Sequence, residues 1–339
     1  MALLTDQINW SGVLLVNKPV QATSFSMIGL VRKLTGIRRV GHIGTLDPFA
    51  DGLLPVCIGR ATAAVQFMES FDKTYQVQIQ FGRATDTQDL TGQTTDEHQL
   101  TADARRQCLE SDFSNIRQAV TEMTGVQEQL PPMYSAVKKD GRPLYAYARE
   151  GKTIERETRM IEVKSVKIIK ISLDEHISIW LDIDCSKGTY IRTLADTLGR
   201  KLGYFAHAAA LTRTRCGPYS LEQAGDPEQL SAWRHTTEDD QAYQNLLKQE
   251  GCFTTLSTAF DQWPRLNLNP DQTDRLVCGQ PVLLSAESLS QPVVRNQLYG
   301  VFCGTLFIAA ARLMCHEERS YRIKTERVFV DRADISRQS

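Results

Sequence analysis

Several common signatures of enzyme sites are missing from the sequence. It has no Gly-x-Gly-x-x-Gly or Walker-type loop, which argues against nucleotide-dependent group transfer. Its eight cysteines are scattered without a Cys-x-x-Cys pair, which argues against a zinc site and a disulfide framework and favours reduced thiols. Its six histidines show no His-x-His or His-x-x-x-His pairing, so we expect no metal ion and no other cofactor.

Long apolar runs and a leader-like start are also missing. No stretch approaches the ~18 apolar residues that a membrane span needs, so we expect no membrane association. The first residues lack a basic segment, and Asp6 interrupts a short apolar run, which is not the pattern of a signal peptide. Together with the cysteine usage, these features predict a cytoplasmic protein.

The composition is that of a globular chain with an uneven distribution of charge. The chain has 339 residues, 42% of them hydrophobic and 23% charged, which suits one large domain and one small domain. The net charge of −1 conceals a basic middle, because residues 131–220 hold 16 lysines and arginines against 10 acidic residues. The flanks are acidic, with 3 against 9 in residues 84–130 and 2 against 7 in residues 221–260. The basic middle is either a binding face for an acidic partner or ordinary variation in solvated surfaces.

Hydrophobic periodicity predicts a mixed α+β fold. Residues 84–101 are predicted to be an extended surface loop. Residues 127–153, which contain prolines, tyrosines and lysines, are predicted to be an insertion that projects from the core. We call this insertion the thumb. From about residue 260 short strands between turns predict a small β-barrel or sandwich. The predicted strands of the larger part are 12–17, 53–58, 73–81, 160–171, 176–185 and 209–215. The predicted helices are 23–36, with Thr23 or Ser24 as the N-cap and Gly36 as the stop, and 61–70, 114–125 and 191–203, with helix and linker over 221–251.

One short stretch, GHIGTLDPFADGLLPV at residues 41–56, places a lone acid between glycines. Pro48 disfavours helix at Asp47, and the glycines allow sharp turns and close approach of a ligand. Asp47 could therefore be a nucleophile or a general base, or it could simply close an Asx turn. The local sequence alone favours the turn.

Other candidate residues also have two interpretations. His42 could stack on a base or be a satisfied loop histidine, and Tyr75 could line a cleft or pack in the core. Arg192 follows a glycine turn and opens a helix, where the macrodipole does not favour a cation, so an anionic partner is indicated. Lys18 follows a predicted strand, and by default we interpret it as an exposed residue at the end of that strand. The acids Asp86 and Asp89 are better explained by Asx turns than by a cation site.

Taken together, these stretches resemble the TruB-type tRNA pseudouridine-55 synthases. The resemblance covers most of residues 12–215, and the C-terminal part is similar, more loosely, to the PUA-like RNA-binding domain of that family. Asn17 and Asp51 depart from the residue types usual in the family. The segments that carry the resemblance are GVLLVNKP, RRVGHIGTLDPFADGLLPVCIGRAT, KTYQV, FGRATDTQDLTGQ, PPMYSAVKKDGRPLYAYAREG and CSKGTYIRTLADTLG.

The resemblance implies a role for each matching residue. Asp47 would be the catalytic aspartate, and Arg192 the arginine that pairs with it. Tyr75 would be the tyrosine that packs on the target base and assists proton removal from C5. His42 would lie near the flipped nucleotide, with Lys18 and Leu211 shaping the pocket. The remaining substrate-binding candidates are Tyr190 and, in the thumb, Lys138, Lys139, Arg142 and Arg149.

The implied function is conversion of a T-loop uridine of tRNA to pseudouridine by base flipping, with no cofactor and no protein partner, by a monomer. The implied domains are a catalytic domain of largely antiparallel mixed sheet over residues 1–255 and a PUA-like domain over 256–339. Two alternatives are a guide-RNA-dependent ribosomal RNA synthase of the dyskerin type and a catalytically dead tRNA-folding protein.

Overall fold

The computed structural model describes residues 10–98, 101–289, 292–317 and 319–331. Three short 3-10 segments supplement the regular elements, at residues 59–64, 221–223 and 286–288. The helices are α1 (Ser24–Thr35), α2 (Val65–Met68), α3 (Ala102–Glu110), α4 (Ser114–Thr121), α5 (Leu144–Ala148), α6 (Ile191–Lys201), α7 (Pro227–Thr236), α8 (Asp240–Gln249), α9 (Leu256–Phe260) and α10 (Pro270–Val277). The strands are β1 (Gly12–Lys18), β2 (Val40–His42), β3 (Asp51–Ile58), β4 (Lys73–Phe81), β5 (Arg83–Thr85), β6 (Thr94–Glu97), β7 (Gly125–Gln129), β8 (Lys138–Lys139), β9 (Arg142–Pro143), β10 (Arg159–Leu173), β11 (Ile177–Cys185), β12 (Ala206–Cys216), β13 (Tyr219–Ser220), β14 (Phe253–Thr254), β15 (Arg265–Asn267), β16 (Leu283–Ser285), β17 (Tyr299–Cys303), β18 (Leu306–Glu317) and β19 (Ser320–Val328).

A large mixed sheet forms the centre of the molecule. Its strand order is β14-β1-β3-β12-β4-β11-β10-β7, with β2 added to β3 and β13 to β12. Its pairs are antiparallel except β3 with β12, which run parallel where Thr212 and Arg213 meet Asp51 and Gly52. In β4 and β11 every second residue is buried, which is the alternation that the sequence shows. This parallel pair places the loop before β3 next to the middle of β12.

Two hydrophobic clusters cover opposite faces of this sheet. The larger one packs α1, α4, α6, α7 and α8 against β4, β10 and β11. The other packs β1, β3 and residues 59–68 against α9 and the C-terminal strands. Helix α1 begins where the Thr23 side chain accepts from the Ser26 amide and ends at Gly36, whose φ of 70° suits a left-handed cap. The sheet is thus held rigidly under the loops at its edges.

The C-terminal strands form a second sheet, of order β15-β17-β18-β19-β16, with its own cluster of buried side chains. An aromatic cluster joins this sheet to the large one. In it Phe260 stacks on Phe307 at 4.9 Å between ring centroids, and Phe307 stacks on Phe329 at 5.3 Å. The predicted α+β class with a small C-terminal β unit is confirmed.

The structure confirms most predicted elements and corrects three. Residues 61–70, predicted as a helix, form a 3-10 segment and the single turn of α2, because this alanine- and threonine-rich run is too short to propagate an α-helix. Residues 84–97 are not one extended loop, because β5 and β6 form a hairpin; residues 99–100 lie outside the described residues. The thumb does not project from residue 127, because β7 pairs with β10 through Gln129 and only later residues leave the sheet.

None of the helices in the described ranges combines the length and apolar character needed to cross a bilayer.

Candidate active site

The loop between β2 and β3, residues 43–50, carries Asp47 and is fixed by hydrogen bonds to side chains of α1 and β1. We call it the Asp47 loop. The buried Ser24 hydroxyl accepts from the Leu46 amide at 3.0 Å and donates to the Leu46 carbonyl at 3.2 Å. The Lys18 ammonium donates to the Ala50 carbonyl at 2.5 Å. Because the middle of the loop is tied to α1 and its last residue to β1, the Asp47 carboxylate has a defined position.

Two glycines of this region are required by the backbone and by Arg213. Gly44 has a φ of 64°, and a Cβ there would lie 3.0 Å from the Arg213 Nη1. Gly52 has a φ of 100°, and a Cβ there would lie 2.5 Å from the Arg213 carbonyl oxygen. Gly41 differs, because a Cβ there would meet atoms only at 3.9 Å. The glycines therefore make room mainly for a buried arginine beneath the loop.

Asp47 is held by Arg192, as the sequence predicts. The Arg192 Nε lies 2.8 Å from one Asp47 carboxylate oxygen, and Nη2 donates to the other at 3.3 Å. The guanidinium is almost wholly buried, whereas the Asp47 side chain is 36% exposed. The carboxylate thus keeps an open side that a substrate can approach.

A second acid, Asp89, lies on the far side of the same guanidinium. The Arg192 Nη1 is 3.4 Å from an Asp89 carboxylate oxygen and donates to the Thr87 carbonyl at 2.6 Å. The other Asp89 oxygen accepts from the Thr91 amide at 2.9 Å, which confirms the predicted Asx turn. Arg192 also donates to the Tyr134 carbonyl at 2.9 Å, so one side chain connects the Asp47 loop, the 86–92 turn and the thumb.

Tyr75 and Leu211 line one side of a cleft that opens at Asp47, and we call it the Tyr75 cleft. It has a volume of about 280 Å³, and Tyr190 and Arg192 line its other side. Tyr75 lies on β4 directly opposite Arg213 of β12, and the Arg213 charge partly opposes the rise in the pKa of Tyr75 that burial causes. This volume suits a planar ring of the size of a nucleobase.

His42 lines a second, neighbouring cleft, which we call the His42 cleft. Its volume is about 570 Å³, and it shares Asp47 and Arg192 with the first. The exposed ring of Phe25 and the thumb residues Tyr145 and Arg149 complete its rim. The buried Nδ1 of His42 has no hydrogen-bond partner in the described part of the chain.

Burial shifts the pKa values of these groups in different directions. Burial raises the pKa of Asp47 above its ordinary value, and the Arg192 charge opposes that rise. Burial raises the pKa of Tyr75 to about 12, so its hydroxyl is protonated at neutral pH. Burial also lowers the pKa of His42, with the Arg213 charge adding to the effect, so this imidazole is neutral. Tyr75 and His42 are thus uncharged at neutral pH, and Arg192 is the charged partner of Asp47.

Lys18 lies beneath the site, whereas Tyr190 lines the Tyr75 cleft and its backbone anchors the start of α6. Lys18 is wholly buried, and besides the Ala50 carbonyl it donates to those of Pro19 and Ala22. Burial lowers its pKa to about 8. The Tyr190 backbone exchanges two hydrogen bonds with the Gln129 side chain, at 2.8 and 3.0 Å, which fixes the start of α6 and hence Arg192.

The four basic candidates of the thumb lie in different surroundings. Lys138 and Lys139 are exposed in a hairpin made by β8 and β9. Arg142 forms an ion pair with Glu150 and lies 4.6 Å over the Tyr147 ring, so it also holds the thumb together. Arg149 lies 5.4 Å over the Tyr145 ring at the rim of the His42 cleft.

Sequence reasoning missed two buried residues of the site, Asp89 as a partner of Arg192 and Arg213. The only signal for Asp89 was its place in FGRATDTQDLTGQ, and for Arg213 its place in the alternating TRTR of β12. Neither segment shows which distant residue its charge will meet.

Comparison with known proteins gives the class first. Residues 32–191 match the model of the TruB family pseudouridylate synthase N-terminal domain, and residues 192–249 that of the tRNA pseudouridylate synthase B C-terminal domain. A chain of a Cbf5-Nop10-Gar1 complex shares the fold, with a TM-score of 0.72 at 21% identity over 96% of this chain and 87% of that one. The protein is thus a pseudouridine synthase, an isomerase.

Relatives at higher identity give the family. A protein of Bacillus subtilis named tRNA pseudouridine synthase B is 37% identical over 288 residues, covering 82% of this chain and 90% of its own length. One of Bordetella parapertussis with the same name is 43% identical over 221 residues, covering 65% of this chain and 87% of its own. The chain belongs to the TruB family.

Proposed function

We propose that the protein is a tRNA pseudouridine-55 synthase that acts on a uridine of the T-loop, with Asp47 as the essential carboxylate. The observation that carries the proposal is the half-exposed Asp47 carboxylate, held by the buried Arg192 where the two clefts meet. Relatives named tRNA pseudouridine synthase B support tRNA as the substrate.

The proposed reaction is an isomerisation that needs no outside reagent. The bond between C1′ and N1 of the uridine breaks, the uracil rotates, and a bond forms between C1′ and C5. C5 loses a proton and N1 gains one, so atoms and electrons balance. Asp47 opens the sugar–base bond by attack at C1′, by attack at C6 or by removing a sugar proton. The Arg192 charge favours the ionised carboxylate that each of these routes requires.

The two clefts fit a flipped nucleotide. Taking a base out of its stack costs a few kcal/mol, which contacts in the site must offset. In the Tyr75 cleft the aromatic ring offers a stacking surface, worth about 1–3 kcal/mol per base. The uncharged His42 at the neighbouring cleft can fill the space that the flipped base leaves.

The remaining parts of the molecule would hold the tRNA. The thumb, with Lys138 and Lys139 at its tip, would grip the RNA backbone, and the C-terminal sheet would act as a PUA-like RNA-binding domain. We assign residues 1–255 to the catalytic domain and 256–339 to this second domain. We further propose that the protein acts as a cytoplasmic monomer without protein partners.

The experiment uses the purified chain alone with an unmodified T-loop hairpin and with full-length tRNA. We expect conversion of one uridine, at tRNA position 55. Because the isomerisation leaves the mass unchanged, the RNA is first treated with a carbodiimide that labels pseudouridine, and the label is then mapped by mass spectrometry of the RNase digest. A hairpin in which cytidine replaces that uridine is the control and should remain unmodified. Conversion that requires an added guide RNA or partner proteins would favour the dyskerin-type alternative, and binding without conversion would favour the tRNA-folding alternative.

A further inference from the structure

A cluster of exposed cations lies at the C-terminal end of α1, outside the thumb and outside the lining of the two clefts. It consists of Arg32 and Lys33 in the last turn of α1 and of Arg38 and Arg39 in the loop before β2, and we call it the α1 patch. The helix and the loop are joined here, because the Arg32 Nε donates to the Arg38 carbonyl at 3.0 Å. The four cations therefore belong to one surface.

The charge of the α1 patch is not balanced by acids. Residues 7–46 hold five lysines and arginines and no aspartate or glutamate, although the net charge of the whole chain is only −1. Within the described ranges, no carboxylate lies within 4.0 Å of a cationic nitrogen of the patch. Arg60 differs, because it forms an ion pair with Asp331. Like charges that are gathered without counter-ions repel one another, and an anionic partner would relieve that repulsion.

The helix dipole explains only half of the patch. Cations in the last turn of a helix interact favourably with its negative end, which is sufficient reason for Arg32 and Lys33. Arg38 and Arg39 lie beyond the Gly36 cap, where the helix no longer rewards a positive charge. Their presence beside the first pair therefore indicates an external anion.

Both elements that border the patch lead to the candidate active site. Helix α1 begins at Ser24, which lines the His42 cleft, and β2 runs from the patch back to His42. A strand advances about 3.3 Å per residue, so Arg39 lies about 10 Å from His42 along the chain. Each strand of a nucleic-acid duplex carries one phosphate per about 3.4 Å of axis, so this distance corresponds to about three phosphates. A strand that leaves the His42 cleft reaches the patch within a few nucleotides.

We propose that the α1 patch is a second phosphate-binding surface, separate from the thumb, which holds the RNA strand next to the flipped uridine. This inference rests on the proposed function, and it gives the patch a role in tRNA affinity and none in the chemistry. Hydrogen bonds already orient two of the guanidinium groups, since the Arg39 Nε donates to the Thr62 hydroxyl at 2.6 Å and the Arg32 Nε to the Arg38 carbonyl. The Nη groups of Arg32 and Arg39 then supply donors for phosphate oxygens.

A charge-neutralising variant tests the inference. Lys33→Gln/Arg38→Gln removes two exposed charges whose side chains make no hydrogen bond in the described part of the chain, so we expect the fold to be kept. We expect the tRNA Kd to rise at least about fivefold and the salt dependence of binding to flatten by about 0.9 for each lost phosphate contact. The single-turnover rate at saturating protein concentration should stay within about twofold of the wild type.

The matched control is Lys167→Gln/Lys170→Gln, which removes two exposed charges of β10 and should leave Kd and salt slope unchanged. An unchanged Kd and slope in the α1-patch variant would overturn the inference. An equal loss of affinity in both variants would also overturn it, because the effect would then come from the general field of the protein.

Ethylation interference on full-length tRNA tests where the patch binds. We expect ethylated phosphates within a few nucleotides of uridine 55 to block binding by the wild type, and some of these positions to be tolerated by the α1-patch variant. Identical interference patterns for the two proteins would overturn the inference. Wild-type protein that binds tRNA but converts no uridine would refute the proposed function instead, and the binding measurements would still decide the role of the patch.

Discussion

Arg192 is the residue on which the geometry of the site depends. Its planar fork meets Asp47 on one edge and Asp89 on the other, and the backbone oxygens of Thr87 and Tyr134 occupy further donors. A lysine has a single compact ammonium and could not serve all of these acceptors at once. Asp89 thus helps to orient the guanidinium that holds Asp47.

Replacing Asp89 should therefore impair catalysis more than binding. We predict that Asp89→Asn lowers kcat about tenfold, equivalent to ~1.4 kcal/mol, because Arg192 loses a charged partner and holds Asp47 less firmly. The tRNA Kd should be nearly unchanged. Asp86→Asn is the matched control, since Asp86 lies in the same turn, where it accepts from the Gln93 amide. Equal activities of the two variants would contradict the role of Asp89.

Single residues were predictable where a motif marks them. Asp47, Tyr75 and Arg192 were identified by resemblance, and the structure places them around one cleft. Asp89 is 103 positions from Arg192, and Arg213 is 169 positions from Gly44. Such contacts form only when the sheet brings distant segments together, and no local period encodes them.

Among the structural elements, the Asp47 loop is constrained most. Its neighbour Gly52 combines a φ of 100° with contact to the backbone of β12, where the two strands run parallel. A side chain there would be strained by its own conformation and would also push β3 from β12. The loop position therefore depends on this strand pair as much as on the loop sequence.

A pair of glycine substitutions tests this constraint. We predict that Gly52→Ala lowers both the melting temperature and kcat, because its Cβ would meet the Arg213 carbonyl at 2.5 Å. Gly41→Ala should be tolerated, since its Cβ has only ordinary contacts, the closest at 3.9 Å. Thermal denaturation measures the melting temperature, and release of tritium from RNA carrying [5-³H]uridine measures kcat. A stable and active Gly52→Ala variant would contradict the account of the loop.

The thumb makes a separate prediction about binding. The double variant Lys138→Gln/Lys139→Gln should weaken tRNA binding and flatten its dependence on salt, because each lost phosphate contact lowers the slope by about 0.9. Arg142 is left intact because its ion pair with Glu150 stabilises the thumb itself. Lys248→Gln on α8 is the control, because it makes the same substitution outside the thumb and should leave the salt dependence unchanged. An unchanged slope in tRNA titrations across salt concentrations would exclude a phosphate-binding role for these lysines.

Elements with a strong period were predictable, and short ones were not. The alternation in β4 and β11 and the caps of α1 predicted these elements closely. The β5–β6 hairpin consists of three- and four-residue strands, which are too short to show a period. The start of the thumb was misplaced because only pairing with β10 makes β7 a strand.

At the scale of the whole molecule, the C-terminal sheet is attached through aromatic packing. Phe260 is wholly buried and contacts Trp263 at 4.4 Å and Phe307 at 4.9 Å between ring centroids. The same cluster reaches Leu15 and Leu53 of the large sheet. A continuous apolar interface of this kind predicts that the two sheets are stable together.

Truncating the centre of this interface tests that coupling. We predict that Phe260→Ala costs about 3–5 kcal/mol of unfolding free energy, as for other buried phenylalanines. Phe25→Ala is the control, because that ring is 72% exposed and its loss should leave stability nearly unchanged. Denaturant unfolding followed by tryptophan fluorescence measures both. Equal stability of the two variants would show that the sheets are only loosely joined.

We propose that one carboxylate, Asp47, is essential for the isomerisation. The most direct measurement is single-turnover release of tritium from T-loop RNA carrying [5-³H]uridine, with wild-type protein and with Asp47→Asn, each at saturating concentration. We predict rapid release by the wild type and none above background by Asp47→Asn, with tRNA Kd nearly equal for the two. Retention of more than about a tenth of the wild-type rate, a difference in barrier below ~1.4 kcal/mol, would contradict it.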